Sequence, residues 1–212
     1  MNEPHGARPR GPRMTGRERR EQLVAIGRSL FAEKGYDATS VEEIAARATV
    51  SKPIVYEHFG GKEGLYAVIV DRETSTLLTA LEESLDDPRL HPRVLMERAA
   101  LAFLTYIDTH EDGFRILVRD SPAAADGGTY SSLLGDVAAK AESILSAQLR
   151  LRRYPAADAV LYAQMLVGMV ASTGQWWLEH REPSREAVAA RVVNLSWFGL
   201  SAIEKDPTLR RP

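Results

Sequence analysis

Apolar residues recur along this chain every three or four positions, the spacing of helices that bury one face. No stretch alternates apolar and polar positions as a half-buried strand would. With breaks at glycine, proline and paired acids, the pattern predicts an all-α protein of about nine helices. The predicted segments are residues 17–34, 41–48, 52–59, 62–86, 93–110, 112–119, 130–153, 159–178 and 184–205.

The second and third segments predict a short helical hairpin with a tight turn at residues 49–50. Thr39 and Ser40 each stand three positions before a glutamate, so either residue could begin a capping box. Ser51 is placed to cap the second helix of the hairpin. Pro53 then falls in the first turn of that helix, where its missing N–H leaves no hydrogen bond unmade.

The second helix of the hairpin has a polar outer face. Val55 and Phe59, four positions apart, are predicted to point inward, which leaves lysine, tyrosine and histidine side chains outside. Such a helix suits reading of the DNA major groove, because its first residues approach base edges while its cationic and phenolic groups contact phosphates. A helical hairpin on the surface of a protein that binds no DNA is the alternative interpretation.

The match extends to a known family. Residues 51–66, S-K-P-I-V-Y-E-H-F-G-G-K-E-G-L-Y, closely resemble the recognition-helix signature of the tetracycline-repressor (TetR) family. Residues 30–45, L-F-A-E-K-G-Y-D-A-T-S-V-E-E-I-A, resemble its first two helices, so the resemblance covers about residues 17–70. Two positions depart from the family pattern. Thr49 replaces the usual turn glycine, which predicts backbone strain, and Pro53 stands where glycine is common.

This resemblance implies a homodimeric transcriptional regulator with an N-terminal helix-turn-helix head and a C-terminal helical domain for effector binding and dimerisation. We expect residues 17–62 to form the head and residues 63–205 the second domain, between an arm (1–16) and a tail (206–212). A two-fold dimer on double-stranded DNA implies a roughly palindromic operator. A repressor released by a small ligand is favoured; an activator would use the same head.

The contacts to DNA can be predicted residue by residue. We expect Lys52, Ile54 and Tyr56 to face the groove, with Pro53 shaping the helix start beside a thymine methyl group. Phosphate contacts are predicted for Thr39, Thr49, Ser51, His58 and Lys62.

The C-terminal segments carry aromatic and sulfur-containing residues that could wall a pocket for a hydrophobic effector. Pockets of this kind are mostly apolar, with a few polar anchors. For each residue, ordinary core packing is the alternative. The candidate lining and anchor residues are Phe103, Tyr106, His110, Phe114, Tyr130, Gln164, Met169, Trp176 and Trp177.

The last two segments have more apolar surface than one chain can bury, which predicts a four-helix interface between two chains. The predicted interface stripe is Val188, Val192, Leu195, Gly199 and Ala202. Residues 159–178 contain no charge and are long enough for a membrane span. Polar residues dilute that run and no second span accompanies it, so we predict no membrane association.

The distribution of charge along the chain is more informative about DNA binding than the total charge. The 212 residues carry a net charge of −2, but residues 1–35 hold eight basic and four acidic side chains, net +4. Positive potential is therefore concentrated near the hairpin, where it would attract phosphate. Residues 1–16, rich in proline, glycine and arginine, are predicted to be disordered. They are either a basic arm that reaches DNA, or a solvated tail or an extension ahead of a true start at Met14.

Several classes of function are excluded. The chain has no cysteine, so it can form neither a disulfide nor a thiolate metal site. Its five histidines are scattered, and neither a nucleophile elbow nor a glycine-rich phosphate loop occurs. We therefore predict a cytoplasmic protein that is not an enzyme and needs no cofactor or metal. A helical interaction module that has lost DNA binding remains an alternative.

Overall fold

The computed structural model describes residues 14–87, 89–119, 129–204 and 207–209, with side chains undescribed at 129–131. Nine α-helices and no strand lie within these residues, which confirms the predicted all-α class. The arm through residue 13, the side chain of Tyr130 and part of the tail lie outside the described residues. The helices are α1 Gly16–Lys34, α2 Val41–Arg47, α3 Lys52–Phe59, α4 Lys62–Leu85, α5 Pro92–Thr109, α6 Glu111–Val118, α7 Thr129–Leu151, α8 Ala159–His180 and α9 Arg185–Ser201.

The first helix begins at a capping box. The backbone N–H of Glu18 donates to the Thr15 hydroxyl at 3.2 Å, and the Thr15 N–H donates to the Glu18 carboxylate at 2.7 Å. The hydrogen bond from the Thr15 backbone, and a second one that the Thr15 hydroxyl donates to the Glu18 carboxylate at 3.0 Å, lower the pKa of Glu18. The helix ends at Gly35, whose φ of 84° is readily adopted only by glycine. Local chemistry therefore fixes both ends of α1.

The chain forms two compact units, and the boundary between them falls within α4, between Ile69 and Val70. In the first unit, α1 approaches the start of α4 closely, since a Cβ at Gly27 would lie 2.8 Å from the Leu65 side chain. The buried core of this unit includes Leu23, Leu30, Phe31, Ile44, Val55, Leu65 and Ile69. This core supports the α2–α3 hairpin from behind.

The second unit contains the rest of α4 and the five helices that follow. Within it, α7 packs along α8 and α5 packs along α9. Gly174 of α8 lies against α5, where a Cβ would be 2.4 Å from the ring of Phe103. In the described part of the chain, Ala156–His180 is the one stretch long and apolar enough to cross a membrane. A single such helix is weak evidence for a membrane protein.

Ion pairs join the ends of four helices in the second unit. Arg115 of α6 pairs with Glu179 of α8 at 2.7 Å, and Arg185 of α9 pairs with Asp108 of α5 at 3.1 Å. Arg181, just after α8, reaches both Asp108 at 3.4 Å and the carboxylate of Glu111. We call this set the ion-pair belt. It links residues that are more than 60 positions apart in sequence.

Candidate DNA-binding surface and ligand cavity

The α2–α3 hairpin has the predicted form, and the structure decides between the two predicted caps. Ser40 is the cap of α2, because the backbone N–H of Glu43 donates to its hydroxyl at 3.1 Å. At the other end of α2, the Val50 N–H donates to the carbonyl oxygen of Ala45 at 2.9 Å. Thr49 lies between them with φ 55°, a conformation that a β-branched residue rarely adopts. The strain predicted at this turn is therefore present.

Thr39 is buried, with 2% of its surface exposed. Its hydroxyl donates to the carbonyl oxygen of Gly35 at 2.8 Å, joining the end of α1 to the start of α2. The expectation that this hydroxyl contacts a phosphate therefore needs correction. The side chain is engaged inside the first unit and braces the hairpin instead.

The first turn of α3 is exposed at Ser51, Lys52 and Pro53. Ser51 occupies the cap position, but its hydroxyl makes no cap hydrogen bond. Pro53 has no N–H to offer it, and the N–H of Ile54 bonds instead to the Ser51 carbonyl oxygen at 3.0 Å. The hydroxyl at the tip of the predicted recognition helix therefore lies at an exposed position without a capping hydrogen bond.

Further along α3 the outer face carries a large exposed aromatic ring. Tyr56 is 54% exposed and lies close to Gly61, where a Cβ would be 3.3 Å from the ring. His58 is half-buried, and its carbonyl oxygen accepts a hydrogen bond from Arg20 of α1 at 2.7 Å. The Arg20 guanidinium also lies 4.3 Å from the ring centroid of Phe59. Arg20 of α1 therefore holds the inner side of α3 in place, while the Tyr56 side chain points toward solvent.

Two lysines of the predicted DNA set already have partners within the first unit. The Lys52 ammonium pairs with the Glu42 carboxylate of α2, and this hydrogen bond lowers the pKa of Glu42. Lys62 donates to the carbonyl oxygen of Tyr36 at 2.9 Å and lies 4.1 Å from the centre of its ring. Lys62 thus ties the start of α4 to the loop after α1, a structural role that the sequence did not reveal.

The second unit contains a cavity of about 190 Å³. This is more than ten times the roughly 10–15 Å³ that one water needs on the same measure. Helices α4, α5, α7, α8 and α9 all line it, mainly with leucine, valine, alanine, methionine and isoleucine. The polar lining residues are Gln148, Arg152 and Ser196, and the Ser196 hydroxyl is occupied, donating to the Val192 carbonyl oxygen at 2.7 Å.

Of the predicted ligand residues, Phe103 lines this cavity. Tyr106 is buried elsewhere, and its hydroxyl donates to the buried carboxylate of Glu73 at 2.9 Å. His110 stacks on Tyr106 with 4.9 Å between ring centroids, and Phe114 packs edge-on against Phe103 at 5.6 Å. These residues build the core beside the cavity rather than its wall.

Among the predicted ligand residues whose side chains the structure describes, the other four lie away from the cavity as well. Trp177 is buried and its indole N–H donates to the carbonyl oxygen of Pro183 at 2.7 Å. Trp176 is exposed and stacks on His180 with 4.3 Å between ring centroids. Gln164 is also exposed, and Met169 packs against the edge of the core. The aromatic content of the chain therefore did not identify the cavity wall.

The spacing of residues along α7, by contrast, does identify the cavity wall. Five residues of this helix, and Arg152 just after it, recur every three or four positions and line the cavity: Leu133, Val137, Ala141, Ile144, Gln148 and Arg152. This stripe ends in two polar residues, whereas an ordinary core-facing stripe stays apolar.

The predicted dimer stripe divides between the core and the surface. Val188 and Val192 belong to the core of the second unit, so the expectation that they meet a partner chain is corrected. Leu195, at 67% exposure, Gly199 and Ala202 face outward. α8 and α9 carry five further exposed apolar residues: Val160, Leu161, Met165, Trp176 and Phe198. Together, these eight outward-facing residues are called the apolar face.

No group of three potential metal-binding side chains comes together within the described residues. Comparisons with known proteins instead give matches to regulators. Residues 23–69 match the family model for bacterial regulatory proteins of the tetR family. Residues 92–199 match the model for a tetracyclin repressor-like C-terminal domain. The two models thus cover the hairpin and most of the second unit.

Individual proteins agree with these models. The transcriptional activator FasR of Mycolicibacterium smegmatis is 29% identical over 208 residues, covering 94% of this chain and 91% of its own length. The transcriptional repressor BdcR of Escherichia coli is 34% identical over 88 residues, covering 40% of this chain and 45% of its own length. The crystal structure of a TetR-like regulator from Rhodococcus sp. RHA1 superposes with a TM-score of 0.74 at 27% identity, covering 92% of this chain and 100% of its own.

Proposed function

Because the chain belongs to the TetR family of bacterial transcriptional regulators, we propose that it is a ligand-responsive repressor that binds a roughly palindromic operator. We further propose that it acts in the cytoplasm as a homodimer. The observation that carries this proposal is the exposed first turn of α3. There, an unused Ser51 hydroxyl, a lysine and the Tyr56 ring lie on a helix that is braced from behind.

Three features of α3 suit binding to a DNA duplex. Ser51 at the helix start offers a hydroxyl to a phosphate, and contacts of this kind fix the register of a reading helix. Tyr56, one turn further along, presents an aromatic ring and a hydroxyl toward base edges or phosphates. Ile54 and Pro53 supply apolar surface suited to thymine methyl groups. Lys52 must exchange or share its Glu42 partner to reach the DNA.

Dimerisation is supported by the apolar face of α8 and α9. Large exposed apolar patches on soluble proteins mark interaction sites. The proposed partner is a second copy of the chain, which would place the same face against itself across a two-fold axis. Two recognition helices would then meet two half-sites, about one or more DNA turns apart.

The ligand-responsive part of the proposal is supported by the cavity. It is lined by five helices of the second unit, and its apolar lining would take a hydrophobic effector. An activator remains the second candidate, because FasR, which is similar over nearly the whole chain, is a transcriptional activator. A reporter gene placed behind the selected operator would distinguish the two by the sign of the response.

The experiment that tests the proposal is selection of bound duplexes from a random double-stranded pool with the full chain and no added ligand. An enriched palindrome is expected. Binding should fall steeply between 50 and 200 mM salt, because phosphate contacts release counterions. No enrichment from protein shown to be folded and dimeric would contradict the proposal and favour a helical interaction module.

Substitutions then assign the surface. Tyr56→Ala should weaken operator binding without changing thermal stability, because the ring is exposed. Tyr56→Phe is the matched control that keeps the ring and removes the hydroxyl. If both variants bind as tightly as the unmodified protein, the role assigned to Tyr56 is incorrect.

A further inference from the structure

The residues that line the cavity of the second unit extend along most of α7. They run from Leu133 of this helix to Arg152, the residue just after it. At about 1.5 Å per residue, these 19 helical steps span roughly 28 Å, close to the full length of α7. α7 therefore presents an extended apolar stripe on which an extended ligand could lie.

Unengaged polar side chains gather at one end of this wall. Gln148 lies near the end of α7, and Arg152 follows that end directly. The Arg152 N–H donates to the Gln148 carbonyl oxygen at 3.2 Å, so the two residues are one helical turn apart and share a face. Neither side chain has a hydrogen-bond or ion-pair partner in the part of the chain that the structure describes. The third polar lining residue, Ser196, already donates to its own helix backbone. An amide and a guanidinium are thus left to meet whatever occupies this end.

The same end is built from the terminal parts of other helices. Leu85 from the end of α4 and Pro92 from the start of α5 line the cavity, together with Ile203 beyond α9. The Tyr154 hydroxyl donates to the carbonyl oxygen of Ile203 at 3.1 Å, which holds that segment beside the end of α7. Arg152 is itself exposed, so the polar end is a mouth that opens to solvent.

Charge at this mouth favours an anion. The carbonyl groups at the end of α7 give it partial negative charge, which by itself would repel one. Three arginines within four residues, at positions 150, 152 and 153, oppose that effect. Among them, Arg152 lines the cavity, and its guanidinium can form paired hydrogen bonds to a carboxylate or phosphate.

We propose that the effector is an amphipathic anion: an extended hydrocarbon chain along α7 whose carboxylate or phosphate head is held by Arg152 and Gln148. This inference rests on the proposed function, in which the cavity is the effector site. It deepens that function by naming the ligand class. The apolar wall selects the chain, and the polar mouth sets its direction, with the head toward the end of α7.

The test measures binding of three matched probes to the whole 212-residue chain by isothermal titration and by release of the selected operator. Hexadecanoate and hexadecyl phosphate carry the two candidate heads, and hexadecan-1-ol carries the same chain without charge. Both anions are expected to bind more tightly than the alcohol. Whichever anion binds more tightly identifies the head chemistry.

Arg152→Gln should weaken binding of the anions roughly tenfold to hundredfold, as expected for loss of a charged hydrogen bond, and leave binding of the alcohol unchanged. Arg153→Gln is the matched control, because this neighbour does not line the cavity. Ala141→Phe, which fills the cavity midway along α7, should abolish binding of all three probes. Its unfolding temperature, measured alongside, shows whether the variant has folded.

The outcomes separate the two proposals. Equal binding of alcohol and anions, unaffected by Arg152→Gln, would overturn the anionic ligand class and leave the cavity as an effector site. If no probe binds while the operator is still bound, both the ligand class and the effector role of the cavity fail, and the DNA-binding proposal stands. Loss of operator binding by the unmodified protein would overturn the proposed function itself.

Discussion

Thr49 stores backbone strain at the centre of the DNA-binding hairpin, and its replacement by glycine should release it. With φ at 55°, Thr49 occupies the left-handed region. The left-handed conformation costs an L-residue roughly 1–2 kcal/mol, whereas it costs glycine almost nothing. Glycine loses about 0.5–1 kcal/mol more backbone entropy on folding. Thr49→Gly should therefore stabilise the first unit by a net amount of about 0.5–1 kcal/mol.

The assay must report on the first unit, because all three tryptophans lie in the second. Hydrogen exchange of backbone amides in residues 41–59, read by mass spectrometry, provides this local measurement. Exchange limited by unfolding of the unit should slow about twofold to fivefold, the factor that corresponds to 0.5–1 kcal/mol. Tryptophan fluorescence during urea unfolding serves as the control and should not change.

Two further variants separate strain from side-chain loss. Thr49→Ala removes the hydroxyl and the β-branch but keeps a Cβ, so it should recover less stability than Thr49→Gly. Thr49→Asn places a residue that tolerates positive φ and should also stabilise the hairpin. If Thr49→Gly speeds exchange, the strain argument is refuted. Operator affinity should fall in the same glycine variant if the Thr49 hydroxyl contacts a phosphate.

Three other substitutions probe packing and charge. Gly174→Ala should destabilise the second unit by about 1–3 kcal/mol, because the new methyl group would lie 2.4 Å from the Phe103 ring; the midpoint of urea unfolding by tryptophan fluorescence measures this. Gly135→Ala, on an exposed helix position with nothing within 4 Å, should instead add up to about 1 kcal/mol, and a lower midpoint would contradict it. Glu42→Gln releases the Lys52 ammonium and should steepen the salt dependence of operator binding by about 0.9 in log–log slope for each new phosphate contact. An unchanged slope would mean that Lys52 gains no phosphate contact when the charge of Glu42 is removed.

Local signals predicted the helices well, because a helix end is decided by a few neighbouring residues. Gly35 stops α1 and Ser40 caps α2 through chemistry that is visible within four positions. The α2–α3 hairpin and its strained turn followed from the same kind of information. What the sequence could not provide was the environment of individual side chains. Thr39 and Lys62 look alike as polar surface residues, yet one is buried and the other bonds to the Tyr36 backbone.

The residues that line the cavity were also hard to predict from the sequence. Aromatic residues were expected to line it because they are prominent in the sequence, but their positions depend on which helix faces meet. Phe103 reaches the cavity, whereas Tyr106, three positions later, bonds to Glu73. Val188 likewise belongs to α9, a helix with apolar residues on several sides, and only the packing of the helices decides which side meets α5. Long-range packing of broad apolar helices leaves no distinctive local pattern.

The ion-pair belt bears on the order in which the second unit folds. Its partners are separated by 64 to 77 positions along the chain, so none of these pairs can form until large loops have closed. Closing such loops costs chain entropy before any contact repays it. The belt therefore belongs to a late folding step. Interactions absent from the folding transition state mainly slow unfolding, so the belt should lengthen the lifetime of the native state while leaving the folding rate nearly unchanged.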